Sequence, residues 1–237
     1  MRNFILLKRA WLVIVMIACG NLAYAQEDTG AEGTRLFRVT SFGAWKGGEL
    51  FIKRPKDVEG QSLIKVDLFD MGYSPPMRYK AAQPILFFKK AENEEIPYEE
   101  VMKVAIPNSM RQPLILLIPR GDKILSRVFD LDPSKFPYGS CQVVNFAGSD
   151  LQVAMDKDSR VLKSNQSQVF APVREEKQAA WLRVADIDTK QTVFTTMMMR
   201  RAKKRMFVFF IDAQDSKGGK TVKTRMLVDF RPDPKKP

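Results

Sequence analysis

An internal repeat constrains the fold of this chain more than any other feature. Residues 36–53 read LFRVTSFGAWKGGELFIK, and residues 138–156 read YGSCQVVNFAGSDLQVAMD. Both stretches contain a short apolar strand that ends in a polar residue and a phenylalanine, then a turn of small residues, then a second strand. Residues 39–43 align with residues 143–147. The two copies start about a hundred residues apart, which indicates a duplicated domain rather than a solenoid unit.

Short apolar runs, separated by polar turns, predict strands through both copies. In the first copy they cover residues 36–40, 49–53, 63–69, 84–89, a run that ends before Pro107, 113–118 and 124–131. In the second copy they cover residues 142–146, 151–155, 160–162, 168–172, 180–187, 192–199, 206–211 and 221–230. Strands at this spacing are typical of a β-sandwich. We therefore predict an all-β chain with two tandem β-sandwich domains.

The repeat also defines the predicted domain limits. A signal peptide at 1–25 and a flexible leader at 26–34 precede a first domain at 35–135, a second domain at 136–231 and a disordered tail at 232–237. Near the end of each copy, the sequence Val128-Phe129-Asp130 matches Leu227-Val228-Asp229. This match extends the predicted duplication to the last strand.

The N-terminus has the pattern of an export signal. Three basic residues, Arg2, Lys8 and Arg9, precede the apolar run at 10–18, and Ala23-Tyr24-Ala25 forms a small-x-small cleavage site. The apolar run is too short for a comfortable membrane-spanning helix. We predict cleavage after Ala25 and a periplasmic or secreted protein.

Cys19 supports an alternative N-terminus. Residues 15–19, VMIAC, resemble a permissive lipobox, in which the cysteine is acylated after cleavage, although Met16 stands where leucine is usual. In this alternative the protein is a membrane-anchored lipoprotein. If cleavage instead follows Ala25, Cys141 is the remaining cysteine and has no internal disulfide partner. We predict that Cys141 is a buried core residue.

Composition narrows the possible chemistry. The chain contains no histidine, which removes Ser-His and Cys-His nucleophiles and histidine zinc sites. Without the predicted signal peptide, 36 of the 39 basic residues remain against 27 acidic residues, a net charge of +9. Most of this excess lies between Met197 and the C-terminus, where the net charge is +8.

A basic run near the C-terminus is the sharpest polar feature. It contains Arg200, Arg201, Lys203, Lys204 and Arg205. As a candidate anion site it would bind an anionic envelope polymer. The alternative is a solvent-exposed basic turn that protects the apolar strands on either side of it from pairing at a sheet edge. Nucleic acid is not expected, because no interleaved aromatic motif accompanies the run.

Methionines and paired acids offer two further patterns. Met197, Met198, Met199 and Met206 contain thioethers that Cu(I) accepts, but without histidine we expect them to pack in the core. Acidic pairs occur at Asp130/Asp132, Asp156/Asp158 and Asp186/Asp188. None continues as a Ca²⁺ loop, so we assign them to turns and strand ends. No metal and no cofactor is predicted.

The opening of the second copy resembles a family of exported bacterial β-sandwich domains of unknown function. The resemblance rests on residues 141–146, CQVVNF, followed by a turn and residues 151–153, LQV. Gln142 replaces the usual arginine of that family, and Phe146-Ala147 replaces its Ser-Pro. The resemblance implies an exported, Ig-like module, and it brings no catalytic residues.

Together these patterns predict a non-catalytic, exported protein that acts in binding or in envelope structure. Its expected partner is an anionic envelope polymer or another envelope protein, and its oligomeric state is left open. The alternative function is a hydrolase or carbohydrate-active enzyme. Such an enzyme would need two carboxylates about 5–10 Å apart in a cleft.

Overall fold

The computed structural model describes residues 33–43, 45, 47–53, 63–81, 83–91, 97–120, 123–214, 216 and 218–232. The predicted signal peptide, Cys19 and most of the predicted leader lie outside this set, as does the predicted tail beyond Pro232. All sixteen elements within the described residues are strands, which confirms the prediction of an all-β chain.

The strands follow one another in two series of eight. The first series is β1 Thr34–Ser41, β2 Leu50–Lys53, β3 Leu63–Lys65, β4 Met77–Lys80, β5 Ile85–Lys90, β6 Tyr98–Val104, β7 Pro113–Arg120 and β8 Lys123–Asp130. The second series is β9 Cys141–Phe146, β10 Leu151–Met155, β11 Asp158–Leu162, β12 Ser167–Phe170, β13 Gln178–Asp186, β14 Thr192–Arg200, β15 Lys204–Gln214 and β16 Lys220–Phe230. The predicted boundary between residues 135 and 136 falls in the connection between the two series.

Both series form two four-stranded sheets with the same strand order. The first series gives β4-β1-β7-β8 and β3-β2-β5-β6, and the second gives β12-β9-β15-β16 and β11-β10-β13-β14. Each strand of the first series therefore corresponds to the strand that comes eight strands later in the chain. In both, the first strand runs parallel to the seventh. The predicted tandem pair of β-sandwiches is confirmed.

Strand register also repeats. The pairing of β5 with β6 shifts between Phe87 and Phe88, and the pairing of β13 with β14 shifts between Val184 and Ala185. Phe87 and Val184 occupy the same position in their sheets, because Ile52 of β2 faces Phe87 and Val153 of β10 faces Val184. A β-bulge thus recurs at the same place in both copies.

The register corrects one sequence match. Ile115 of β7 faces Val128, and the equivalent Val208 of β15 faces Met226. Val128 therefore corresponds to Met226 rather than to Leu227, so the predicted alignment of these strands is wrong by one residue. The difference matters because a shift of one residue moves every side chain of a strand to the opposite face.

Three apolar cores arrange the four sheets as layers. We call β4-β1-β7-β8 and β12-β9-β15-β16 the inner sheets, and the other two the outer sheets. Each sandwich has a core between its inner and outer sheet, which contains Val39 and Phe87 in the first copy and Val143 and Val184 in the second. A third core lies between the two inner sheets.

The third core explains the two densest apolar runs of the sequence. Residues 113–118 of β7 and 205–210 of β15 are buried at every position. A strand covered on both faces must be apolar on both, so its sequence shows a continuous run instead of alternation. Leu114 and Leu116 face the third core, whereas Ile115 and Leu117 face the core of the first sandwich.

The two sandwiches use the same face to contact each other. Leu116 and Phe209 are equivalent and both belong to the third core, as do the equivalent residues Phe129 and Leu227. The rings of Phe129 and Phe207 approach to 5.2 Å between centroids. The contact therefore resembles an isologous dimer interface within one chain. The described residues from Arg35 to Pro232 form one compact unit.

Most predicted strands are present, with a few differences. β4 was not predicted, because Met77–Lys80 is short and follows Pro75-Pro76. β3 ends at Lys65, although alternation in the sequence continues to Phe69. β1 begins at Thr34, which was assigned to the leader.

Cys141 lies in the core of the second sandwich, as predicted. Its side chain is fully buried. Burial raises the pKa of the thiol to about 12, because the thiolate would lose its hydration. The thiol is therefore protonated and unreactive at neutral pH.

Candidate anion-binding groove

The predicted basic run lies at the connection from β14 to β15. Arg201 and Lys203 are exposed in this turn, and the ammonium group of Lys204 lies 4.2 Å from the centre of the Phe230 ring. Arg200 ends β14 and Arg205 belongs to β15, and both are buried. The structure therefore does not bring the five basic side chains to one surface.

The side chain of Arg200 is hydrogen-bonded to backbone carbonyls. Its guanidinium group donates hydrogen bonds to the carbonyl of Gly139, at 3.0 Å, and to the carbonyl of Ala171. Burial lowers the pKa of Arg200 below its ordinary value, since desolvation disfavours the charged form. An external anion could reach this group only after these bonds break.

Arg205 connects the two sandwiches. Its Nε and Nη2 atoms lie 2.8 and 2.7 Å from a carboxylate oxygen of Asp229. Its Nη1 atom donates to the carbonyls of Leu131, at 2.5 Å, and Phe136, at 2.7 Å, in the connection between β8 and β9. The guanidinium also lies 4.5 Å from the ring centre of Tyr138. Arg205 is thus a buried structural residue, which corrects its assignment to the anion-binding run.

The methionine pattern also needs a correction. Met198 is buried in the core of the second sandwich, and Met206 lies in the same core. Met197 and Met199, however, are 58% and 49% exposed on the outer face. Side chains that alternate along a strand cannot all reach the core, so half of this run faces solvent.

The acidic pairs lie in turns and at strand ends, as predicted. Asp186 accepts hydrogen bonds from the amides of Asp188 and Thr189 at 3.0 and 2.9 Å. Asp156 accepts a bond from the amide of Trp181 at 2.9 Å. No group of three or more acidic, cysteine or histidine side chains that could hold a metal ion occurs among the described residues.

A groove of about 340 Å³ lies between the two sandwiches. One wall is the edge strand β8 of the first sandwich, and the other is formed by β9 and the edge strand β12 of the second. The apolar lining residues are Met110, Val128, Phe129, Phe136, Val144, Phe146 and Val169. The polar lining residues are Arg127, Asp130, Lys135, Gln142, Asn165 and Ser167. The groove has the size of a small-ligand site.

Hydrogen-bond donors dominate the polar part of the groove. Arg127, Asn165 and Ser167 are exposed, and Gln142 donates from Nε2 to the hydroxyl of Ser167 at 3.0 Å. This bond holds the side chains of β9 and β12 side by side. The arrangement presents guanidinium, amide and hydroxyl groups to one ligand.

Asp130, the acidic residue that lines the groove, already has hydrogen-bond and ion-pair partners. Its carboxylate accepts bonds from the amides of Gln112 and Asp132, both at 3.1 Å, and from the ammonium of Lys135 at 2.8 Å. Burial alone would raise the pKa of Asp130, but the bonds from Lys135 and the two amides outweigh it and lower the pKa. Asp130 is therefore a carboxylate whose charge Lys135 compensates.

Arg127 and Arg225 occupy equivalent positions in the two sandwiches. Arg127 of β8 faces Leu116, and Arg225 of β16 faces the equivalent Phe209. Arg225 pairs with Asp70 in the loop at residues 66–76 of the other sandwich, and Arg127 lines the groove together with Asn165 of the loop at residues 163–166.

These two loops correspond as well. In the first, Met71 has a φ of 53° and its amide donates to the carbonyl of Ser41. In the second, Asn165 has a φ of 63° and its amide donates to the carbonyl of Asn145, the equivalent of Ser41. The left-handed conformation is unusual for methionine and common for asparagine. The two loops are thus held to their sandwiches in the same way.

The arginines differ in their partners. Arg225 lies 3.5 Å from the carboxylate of Asp70. The corresponding loop of the second sandwich, residues 163–166, reads KSNQ and has no acid. Within the described part of the chain, the side chain of Arg127 has neither an ion pair nor a hydrogen bond. The groove therefore contains a cation without an anion.

Sequence reasoning missed this groove because its walls come from distant segments. The one signal available was the duplication: aligned by strand register, Arg127 and Arg225 stand at the same position. The predicted match of Val128 with Leu227, which is wrong by one residue, did not align the two arginines.

No protein-family model matches the chain, and no curated protein sequence matches it either. The Ig-like resemblance stays a prediction. No helix in the described part of the chain is long and apolar enough to cross a membrane. The function is therefore inferred from the groove.

Proposed function

We propose that the chain is a non-catalytic binding module of the cell envelope that binds an anionic ligand in the groove between its two sandwiches. The observation that carries the proposal is the unpaired Arg127, whose equivalent Arg225 has an acidic partner. The basic composition of the chain and the signal-like N-terminus support an anionic envelope polymer as the ligand class.

The groove matches the chemistry of such a ligand. A carboxylate or phosphate group would accept bonds from Arg127, while Asn165 and Ser167 would contact neighbouring oxygens. The apolar floor, which includes Phe129 and Phe146, would contact the body of the repeating unit. Arginine suits this role because its planar guanidinium binds carboxylate and phosphate groups through two parallel bonds.

The alternative enzymatic function receives less support from the same geometry. Hydrolysis by two acids needs one carboxylate with a raised pKa and a second carboxylate facing it across a cleft. Among the described residues, Asp130 is the acid that lines the groove, and its pKa is lowered. Binding is therefore the function that we propose.

Titration with two soluble probes tests the proposal. A short oligogalacturonate presents carboxylates and an inorganic polyphosphate presents phosphates, so their comparison identifies the preferred anion. Binding should weaken as salt is added, because Arg127 is exposed and its charge is screened. We expect Arg127→Gln to weaken binding about tenfold, the loss of one charge-assisted bond.

Two control variants locate the site. Arg183→Gln removes the same charge from the exposed face of β13, far from the groove, and should leave the affinity unchanged. The combined Arg201→Gln, Lys203→Gln and Lys204→Gln variant removes the exposed part of the basic run. If this triple variant loses binding while Arg127→Gln retains it, the basic turn is the site and the groove is not.

A further inference from the structure

The edge strand β14 of the second sandwich differs from the other sheet edges. A sheet edge presents unpaired amide and carbonyl groups, and proteins usually protect it with charges, prolines or short strands. The eight edge strands are β3, β4, β6, β8, β11, β12, β14 and β16. β3, β4, β6, β8, β11 and β16 all carry charged residues, and β12 has four residues only.

β14 lacks these protections over most of its length, since its charged residue, Arg200, is its last and is buried. It spans nine residues, and the eight from Thr192 to Met199 read TVFTTMMM, without charge or proline. Among the described residues it pairs with β13 alone. Its one irregularity is the bulge at Val193, close to its N-terminal end. The remaining stretch is free to accept another strand.

An exposed apolar patch lies beside this edge. Trp181 of β13 faces Met197 of β14 directly, and Ala179 faces Met199. Trp181, Met197 and Met199 are 48%, 58% and 49% exposed. Aromatic and methionine side chains in such a cluster are typical of the centre of a protein interface.

The first sandwich has no counterpart of this patch. If the register is extended past the ends of β5 and β6, Pro84 stands at the position of Trp181, Ala105 at that of Met197 and Pro107 at that of Met199. Proline cannot donate a hydrogen bond to a neighbouring strand, so Pro107 disfavours pairing at that edge. The two copies therefore differ in whether this edge is protected.

We propose that β14 pairs with β14 of a second copy of this chain, antiparallel across a two-fold axis. Self-pairing of β14 from Thr192 to Met199 would bring no like charges together, because these eight residues carry none. Pairing centred on Met197 would place Thr195 opposite Met199 of the other copy. The two apolar patches would then join across the axis, as an isologous interface requires.

Sedimentation velocity over a range of concentrations tests the proposal, with the protein purified from its producing cells. We expect a reversible dimer that tightens as salt is added, because salt screens the net positive charge of both copies. Anion binding in the groove has the opposite salt dependence. The emission of Trp181 should shift to shorter wavelength as the dimer forms.

Lysine variants identify the edge. Met197→Lys and Thr195→Lys each add a charge to β14 and should raise the dissociation constant at least about tenfold. Met226→Lys, at a residue of β16 that is 45% exposed, should leave it unchanged. Far-UV circular dichroism confirms folding, and Thr195→Lys decides the test if Met197→Lys does not fold.

Two results would overturn the inference. One is a protein that stays monomeric at every concentration and salt level, which would leave the edge to a different protein partner. The other is a dimer that tolerates both lysines on β14.

Discussion

The two sandwiches share strand order, parallel pairing, a bulge and the face through which they contact each other, yet they differ at their surfaces. In one half of the contact Arg225 pairs with Asp70, and in the other Arg127 lines an open groove. The outer sheet of the first sandwich has Pro84 where the second has Trp181. The shared features determine the fold, and the differences mark the candidate binding surfaces.

The largest expected effect concerns Arg205. Replacement by methionine would leave Asp229 buried without its cation and the carbonyls of Leu131 and Phe136 without their donor. We expect Arg205→Met to reduce the free energy of unfolding by about 3 to 5 kcal/mol. Chemical denaturation measures this loss.

The control is the equivalent residue of the first sandwich, Gln112, whose side chain is exposed. Gln112→Met should change stability by no more than about 0.5 kcal/mol. Similar losses in the two variants would contradict the role of Arg205 as the residue that connects the sandwiches.

Asp130 predicts a pH-dependent contribution to stability. Its pKa is lowered on folding, so its stabilising effect is present above the ordinary value of 3.8 and is lost as pH falls through the lowered value. Asp130→Asn keeps an oxygen for the two amides but removes the ion pair with Lys135. The stability difference between the wild type and this variant should be constant near neutrality and should shrink in acid.

Thermal unfolding from about pH 7 to about pH 2 provides the measurement. Asp212→Asn is a suitable control, because among the described residues the Asp212 carboxylate accepts bonds from the amide of Gly148 but forms no ion pair. A stability difference that stays constant down to the acid limit would refute the assignment.

The smallest expected effect concerns the ion pair that distinguishes the two halves of the contact. Asp70→Asn retains an acceptor for the amide of Gly43 but leaves Arg225 without its anion. Because both side chains are about one-third exposed, stability should fall by no more than about 1 kcal/mol. The loss should vanish at high salt. A larger, salt-independent loss would mean that Asp70 acts through packing.

Most of the fold followed from the sequence because strands in this chain have clear apolar runs and polar turns. Fifteen of the sixteen strands coincide with predicted runs, whereas the four-residue β4 is too short to show a pattern. The duplication could be predicted because its first strand, its penultimate strand and its last hairpin recur in order. The sequence does not predict whether a charged residue is buried when both faces of its strand are covered.

Arg200 and Arg205 illustrate this limit. In the sequence they belong to a basic run of the kind that usually faces solvent. In the structure both are buried and donate to backbone carbonyls or to Asp229, and the Nε atom of Arg200 has no partner among the described residues. The groove could not be predicted for a related reason. Arg127 and Asn165 line the same groove only when the two sandwiches pack together.

The measurement that tests the account most directly is the anion affinity of Asn165→Asp. This nearly isosteric change introduces a carboxylate into the groove that Arg127 lines. Gln191→Glu adds the same charge in the turn between β13 and β14 and is the control. We predict that oligogalacturonate and polyphosphate no longer bind to Asn165→Asp and still bind to Gln191→Glu. Unchanged binding in a folded Asn165→Asp protein would contradict the assignment of the groove.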